Sequence, residues 1–248
     1  MFHTTPAPGV HHFETGPFNW YVIEQGGRLT LVDAGFPGHY ATFRAGLERL
    51  GKGLSDLEAV VVTHAHADHI GFAERVRREA DVPAFVHEAD ADAITKPRQL
   101  PWLGLTANAW RPGTFPMLVH ATFNGVFVGP GVSGAKTFAD GQVLDIPGRP
   151  HVWHTPGHTP GEVCLWLEDS RTLICGDTLA TRDLDSGRTV VPTPLDRLAV
   201  DRDAARGSLD RLKGLAEVTV LPGHGPPWTG DLDQVLRPDN AMSTSAAT

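Results

Sequence analysis

The sequence is poor in cysteine: Cys164 and Cys175 are the only two among 248 residues, and they form no Cys-x-x-Cys pair. That excludes a disulfide-stapled scaffold and a thiolate zinc ribbon. No uninterrupted apolar run reaches the roughly 18–20 residues that would cross a bilayer as a helix. Positive charge is also short, with 21 Lys and Arg against 29 Asp and Glu and a formal net charge of −8. A phosphate-backbone partner favours a basic footprint, so nucleic acid is not an expected partner. The opening Met1-Phe2-His3-Thr4-Thr5-Pro6 has neither the basic nor the apolar stretch of a secretory signal. The expected setting is therefore a reducing cytoplasm, with a small-molecule substrate, no membrane partner, and room for a homodimer.

Histidine is what the chain has in excess. Thirteen occur without a His tract, in an otherwise ordinary soluble composition of 41% hydrophobic and 20% charged residues. Several stand on tight loops beside Gly and Asp, after short apolar runs.

Those runs predict the local structure. Asn19–Ile23 and Leu29–Val32 alternate as strands, with Gly26-Gly27 as a hairpin signal between them. Tyr40–Leu50 has helical spacing and stops near Gly51. Glu58–Val62 is a buried-strand candidate, Ile70–Ala80 a helix, Pro83–Val86 a strand and Glu88–Ile94 a short helix. From about Lys96 to Lys136 the pattern is broken by Pro97, Pro101, Pro112, Pro116 and Pro130, and aromatic residues are spread through it. This segment reads as an irregular insertion or a short helical excursion. Strands return at Gln142–Ile146, His151–His154, Val163–Leu167 and Thr172–Cys175, followed by a helix over Ala199–Leu215 and a strand at Val218–Leu221. One domain over residues 1–237 is expected, with the small polar tail 238–248 disordered. Mixed sheets packed together with helices outside, an αββα sandwich of the α/β (α+β) class, would accommodate this order.

Directly after Val60-Val61-Val62 comes Thr63-His64-Ala65-His66-Ala67-Asp68-His69. On a tight loop, residues two apart can face one side, so His64 and His66 suit one cation while Asp68 and His69 turn to a neighbouring position. Imidazole nitrogen and carboxylate oxygen bind zinc at about 2.0–2.2 Å, and catalytic sites keep a position open. Thr155-Pro156-Gly157-His158-Thr159-Pro160-Gly161, Cys175-Gly176-Asp177-Thr178 and Pro222-Gly223-His224-Gly225 add one ligand type each at a strand end or fixed loop. Singly, each reads as well as a surface His or a turn Asp. Together they complete a set for two cations.

In these motifs, taken in order over nearly its whole length, the chain resembles the metallo-β-lactamase superfamily. The resemblance implies that His64, His66 and His158 hold the first metal, that Asp68, His69 and His224 hold the second, and that Asp177 bridges both. Asp33, in Leu31-Val32-Asp33-Ala34-Gly35, would support the histidine loop from behind. The presence of both His69 and Asp177 is similar to the branch of glyoxalase II, lactonases and general hydrolases. Little chain follows His224, whereas glyoxalase II carries a sizeable C-terminal helical region for glutathione.

The activity so implied is hydrolysis of an ester, lactone or thioester of a small molecule by a hydroxide held between two divalent cations, with Asp68 orienting the nucleophile and moving a proton to the leaving group. Zinc is the first expectation; iron and manganese accept the same ligands. The same fold also serves mono-iron persulfide dioxygenases and β-lactam hydrolases. Trp102, Trp110 and Phe115 in the insertion either roof a substrate pocket or pack the insertion against the domain or a second copy. His87, His151 and His154 are expected to be structural, Cys175 an inert buried thiol, and Arg182 and Arg188 solvated.

Overall fold

The computed structural model describes residues 2–96 and 109–237. The first sheet contains seven strands in sequential order: β1 (Phe2–Ala7), β2 (Val10–Thr15), β3 (Phe18–Gln25), β4 (Arg28–Val32), β5 (Leu57–Val61), β6 (Ala84–His87) and β7 (Lys136–Phe138). Its first half is an antiparallel meander, and β4 to β7 run parallel. The second sheet has the order β14-β13-β10-β9-β8, from β8 (His151–His154), β9 (Val163–Leu167), β10 (Thr172–Gly176), β13 (Val218–Pro222) and β14 (Trp228–Gly230). Within it only β10 and β13 pair in parallel. A separate hairpin joins β11 (Leu179–Arg182) to β12 (Thr189–Pro194).

Strand alternation explains the layers. Tyr21, Ile23, Val32 and Val61 face Val163, Leu165, Ile174 and Leu221 and form the core between the sheets. Their neighbours Trp20, Val22, Leu31 and Val60 point the other way, against helix α1 (Tyr40–Arg49) and helix α3 (Ala73–Ala80). On the far side, Cys164, Trp166, Leu173 and Val220 meet Leu212, Leu215 and Leu232, the last opening a one-turn helix near the end of the described chain. Successive residues are thus buried on opposite faces, and the central strands read as nearly continuous apolar runs. The architecture is the expected αββα sandwich.

Four segments depart from the sequence expectation, each for a visible reason. The helix expected over Ile70–Ala80 is divided between α2 (Ala67–Ile70) and α3, because the amides of Gly71 and Phe72 bond to Gly35 O and Ala34 O. Glu88–Ile94 is two 3-10 turns, Glu88–Asp90 and Ala93–Thr95. Gln142–Ile146 is not a strand: Leu144 N bonds Pro150 O across the Pro147-Gly148 turn, and Val143 makes only an isolated bridge to His151. The helix expected over Ala199–Leu215 shrinks to α5 (Arg202–Ser208) with a 3-10 turn at Leu209–Leu212. Val200 N and Asp201 N are taken by His158 O and Gly157 O, and the Asp201 carboxylate caps the helix at Asp203 N and Ala204 N. In the insertion, helix α4 (Thr114–Phe123) is a regular element, while the residues around Trp102 and the tail 238–248 lie outside the described set.

Candidate metal centre

The chemistry stands at the ends of one parallel strand pair in each sheet, β4 with β5 in the first and β10 with β13 in the second. Asp33 directly follows β4, adopts φ +60 and gives its amide to Val61 O. Its neighbour β5 leads into His64 and His66, and then α2 carries Asp68 and His69. In the second sheet β10 leads to Asp177 and β13 to His224. His158 comes from the turn between β8 and β9. Two glycines allow the close approach. Gly176 has φ +48, and a Cβ there would lie 2.3 Å from Glu162 Oε1; a Cβ on Gly223 would lie 2.4 Å from Asp177 Oδ1.

All seven sequence-nominated ligands meet in one buried cluster. His64 Nε2 and His158 Nε2 each lie 3.0 Å from His66 Nδ1. Asp177 Oδ2 lies 3.3 Å from both His158 Nε2 and His224 Nε2, and its Oδ1 is 3.5 Å from His69 Nε2. Asp68 Oδ2 is 3.5 Å from His224 Nε2 and 3.8 Å from His69 Nε2. Three sets of ligand atoms fall within a single ion's reach: His64–His66–His158, His64–His69–Asp177 and Asp68–His69–His224.

The far nitrogens show which lone pairs point inward. His69 Nδ1 donates to Asp33 Oδ2 at 2.8 Å, and His224 Nδ1 donates to Pro17 O at 2.9 Å. Their Nε2 lone pairs are thereby turned toward the oxygens of Asp68 and Asp177. A lone pair against a carboxylate is repulsive unless a cation stands between them. Without a metal, protons take that place: burial alone would lower both imidazoles, but the surrounding carboxylates, Asp33, Asp177 and Asp68 for His69 and Asp177 and Asp68 for His224, raise them above the usual histidine range. The first set behaves oppositely. Burial and neighbouring imidazoles hold His64 well below the ordinary value, and burial, countered by Asp177, leaves His158 at about 3. His66 is also lowered, chiefly by burial. Three imidazole nitrogens converging on one point could hold a metal ion. Buried Asp68 Oδ1 and Asp177 Oδ1 lack a hydrogen-bond partner among the described residues, leaving acceptor capacity that a cation would use. The donor set fits two metal ions.

Other residues important to the site escaped the sequence reading. Asp90 is fully buried; its Oδ2 accepts from Ala65 N at 3.0 Å and Thr159 Oγ1 at 2.8 Å, and its Oδ1 from Gly161 N at 2.8 Å. It clasps the first histidine loop to the His158 loop. Asn19 Nδ2 bonds Pro222 O and Gly225 O, and Tyr21 OH bonds Pro222 O, so β3 holds the His224 turn. Glu162 lies against His64 with no exposure. A buried Glu at the start of an apolar strand was the available signal; the others carry no local motif.

The remaining candidates stand elsewhere. His87 and His154 stack on each other with ring centroids 4.0 Å apart, and His154 Nε2 donates to Pro160 O. Cys175 is buried, and desolvation pushes its thiol well up. Arg188 is exposed, whereas Arg182 is half-buried and paired with Glu14 at 3.2 Å. Trp110 and Phe115 lie 78% and 58% exposed at the start of the α4 region, with Arg111 against the Trp110 ring.

Residues 14–224 match the family model described as the metallo-beta-lactamase superfamily. The chain is 29% identical over 239 residues to the probable metallo-hydrolase YflN of Bacillus subtilis (strain 168), covering 90% of this chain and 86% of that protein. It is 29% identical over 210 residues to the probable metallo-hydrolase YqgX of the same organism, covering 84% and 85%. Among solved structures, a metallo-beta-lactamase family protein from Thermus thermophilus superposes with a TM-score of 0.66 at 23% identity, over 96% of this chain and 80% of that one. With its two-sheet fold and its buried His and Asp cluster, the chain belongs to the metallo-β-lactamase superfamily.

Proposed function

We propose that the protein is a binuclear metal-dependent hydrolase of the glyoxalase II and lactonase-like branch, acting on an ester, lactone or thioester of a small molecule. The observation that carries this reading is the position of Asp177, whose two oxygens lie within 3.3–3.5 Å of His158, His224 and His69, ligand types from both sets. A structural zinc site would close with four ligands and need no such carboxylate. The descriptions of YflN and YqgX as probable metallo-hydrolases support the same class.

His64, His66 and His158 would hold one ion, Asp68, His69 and His224 the other, and Asp177 both. Once bound, the ions supply an acidified water and polarisation of the scissile carbonyl. The chain's own contribution is position and proton traffic. Asp33 and Pro17 O fix the tautomers of His69 and His224. Asp68 has Oδ2 beside His69 and His224 and a buried Oδ1 with no hydrogen-bond partner among the described residues, so its carboxylate could accept a proton from the nucleophile and deliver it to the leaving atom. Zinc is the proposed metal, with iron and manganese as alternatives the ligands would accept.

Elemental analysis of the purified protein, combined with a panel of lactones, thioesters, aryl esters, β-lactams and phosphodiesters, tests this. About two metal ions per chain and chelator-sensitive turnover of an ester, lactone or thioester are expected. One iron per chain with oxygen uptake on a persulfide would replace the hydrolase by a dioxygenase.

A further inference from the structure

Glu162 belongs to neither histidine motif, yet it is a fully buried acidic side chain. Its backbone is fixed from both sides: Glu162 O accepts from Thr155 N at 2.9 Å, and the next residue, Val163, gives its amide to Thr63 O at 3.1 Å. The side chain enters the space that a side chain at Gly176 would fill. There Glu162 Oε1 accepts from the amide of Asp177 at 3.0 Å. Its Oε2 lies 3.1 Å from His64 Nδ1 and has no full hydrogen bond among the described residues, so its acceptor capacity is open to that nitrogen. Thr63 Oγ1, 3.2 Å from the same nitrogen, has its own proton directed to the Asp33 carboxylate, so it too faces His64 as an acceptor.

We propose that Glu162 is a positioning residue of the metal centre: one oxygen fixes His64 with Nδ1 protonated and Nε2 turned into the His64–His66–His158 triad, while the other fixes the backbone of the bridging Asp177. The inference rests on the metal-centre reading and adds a link within it. Asp33 serves His69 in one ligand set, and Glu162 serves His64 in the other. Thr63 touches both pairs, so a continuous buried chain runs Asp33–Thr63–His64–Glu162–Asp177. Only a carboxylate can accept on two oxygens at once. A glutamine in the same place has one acceptor oxygen, and its amide nitrogen would face either the Asp177 N–H or the His64 N–H, donor against donor.

The test compares the parent with Glu162→Gln, starting from metal-free protein titrated with Co2+ against a chromophoric chelator. Partners of this kind typically govern metal affinity by about 10–100-fold. The expected result is a loss of that size for at least one of the two ions. Glu162→Gln protein that binds both ions as tightly as the parent overturns the proposal. A second measurement does not depend on the variant folding. In the metal-loaded parent, labelled with 15N-histidine, the His64 ring should show a slowly exchanging proton on Nδ1; a proton on Nε2 overturns the proposal equally. Both readouts are independent of turnover. A parent that binds two ions and passes both tests but cleaves no ester, lactone or thioester refutes the proposed function and leaves this inference standing. A parent that binds neither ion refutes the metal centre itself.

Discussion

Asp33 Oδ2 and His69 Nδ1 form a buried pair at 2.8 Å, joining the end of one parallel strand to the loop that follows its neighbour. The other Asp33 oxygen accepts from Thr63 N at 2.8 Å, so a single carboxylate fixes both the ring of His69 and the start of the histidine loop. Asp33 holds φ +60, a region that Asn tolerates better than most residues. Asp33→Asn should therefore fold, keep an acceptor for one of these contacts, and weaken metal binding at the His69 side by about 10–100-fold. Chelator competition on the purified variant reads the loss. Unchanged affinity would mean that Asp33 serves the backbone alone.

A different carboxylate assembles the first ligand set. Asp90 accepts three hydrogen bonds from the loops on either side of His66 and His158, and the residue is fully buried. Asp90→Ala strands buried donors, each costing about 1–3 kcal/mol. A drop in melting temperature of several degrees is expected, since about 1 kcal/mol corresponds to roughly 2–4 °C in a chain of this size. Metal occupancy should fall with it. A melting temperature within about a degree of the parent would show that the clasp is dispensable.

These two carboxylates mark the boundary of what can be read from sequence. The gathering of the seven nominated residues was legible because each sits in a short motif after an apolar strand or on a fixed loop, and the fold because buried strands alternate their faces. Asp33 was legible through a Leu-Val-Asp-Ala-Gly turn. Asp90, Glu162 and Asn19 were not, because their partners lie in other loops, brought near only when the two sheets pack. The short α5 follows the same logic: Val200 and Asp201 have helical neighbours in sequence, but their amides are claimed by the His158 loop. Tertiary hydrogen bonds overrode local propensity at the places that hold the site.

The insertion gives a separate prediction. Trp110 and Phe115 are largely exposed, so Trp110→Ala and Phe115→Ala should leave the melting temperature nearly unchanged. If these rings help to select substrate, relative rates across a panel of acyl groups of different bulk will shift while metal content stays at the parental level. Identical relative rates in both variants would remove them from the substrate site.

Acid stability should carry the signature of Glu74. This carboxylate on α3 is buried, which alone would raise its pKa, but Arg77, Ser133 and Arg78 hold it at about 2. A depressed native value means that the unfolded chain binds the proton more readily. The contribution is complete above the unfolded value near 4.5 and disappears as pH falls toward 2. Its size is roughly 3 kcal/mol at about 1.36 kcal/mol per pKa unit. Glu74→Gln should be less stable than the parent at neutral pH, and the gap should narrow between pH 4.5 and 2 in parallel denaturant titrations. A gap that stays constant through that window would show that the ionised form adds nothing.

Asp177 bears the heaviest expectation. Its carboxylate stands between groups of both ligand sets, and burial would raise its pKa were it not for His224 and His69, which hold it well below the usual range. A negative charge at that point would offset the repulsion between two cations and fix their separation. Asp177→Ala removes a ligand from both at once, so the variant should retain fewer than two ions. If the change weakens transition-state stabilisation by about 4 kcal/mol, turnover falls roughly a thousandfold. The fold should persist, because Leu173, Ile174 and Cys175 keep their places in the two cores on either side of β10. Circular dichroism checks the fold and elemental analysis of the same sample checks the metal. Folded Asp177→Ala protein with two ions and parental turnover would remove the bridge, and the binuclear hydrolase would lose its central argument.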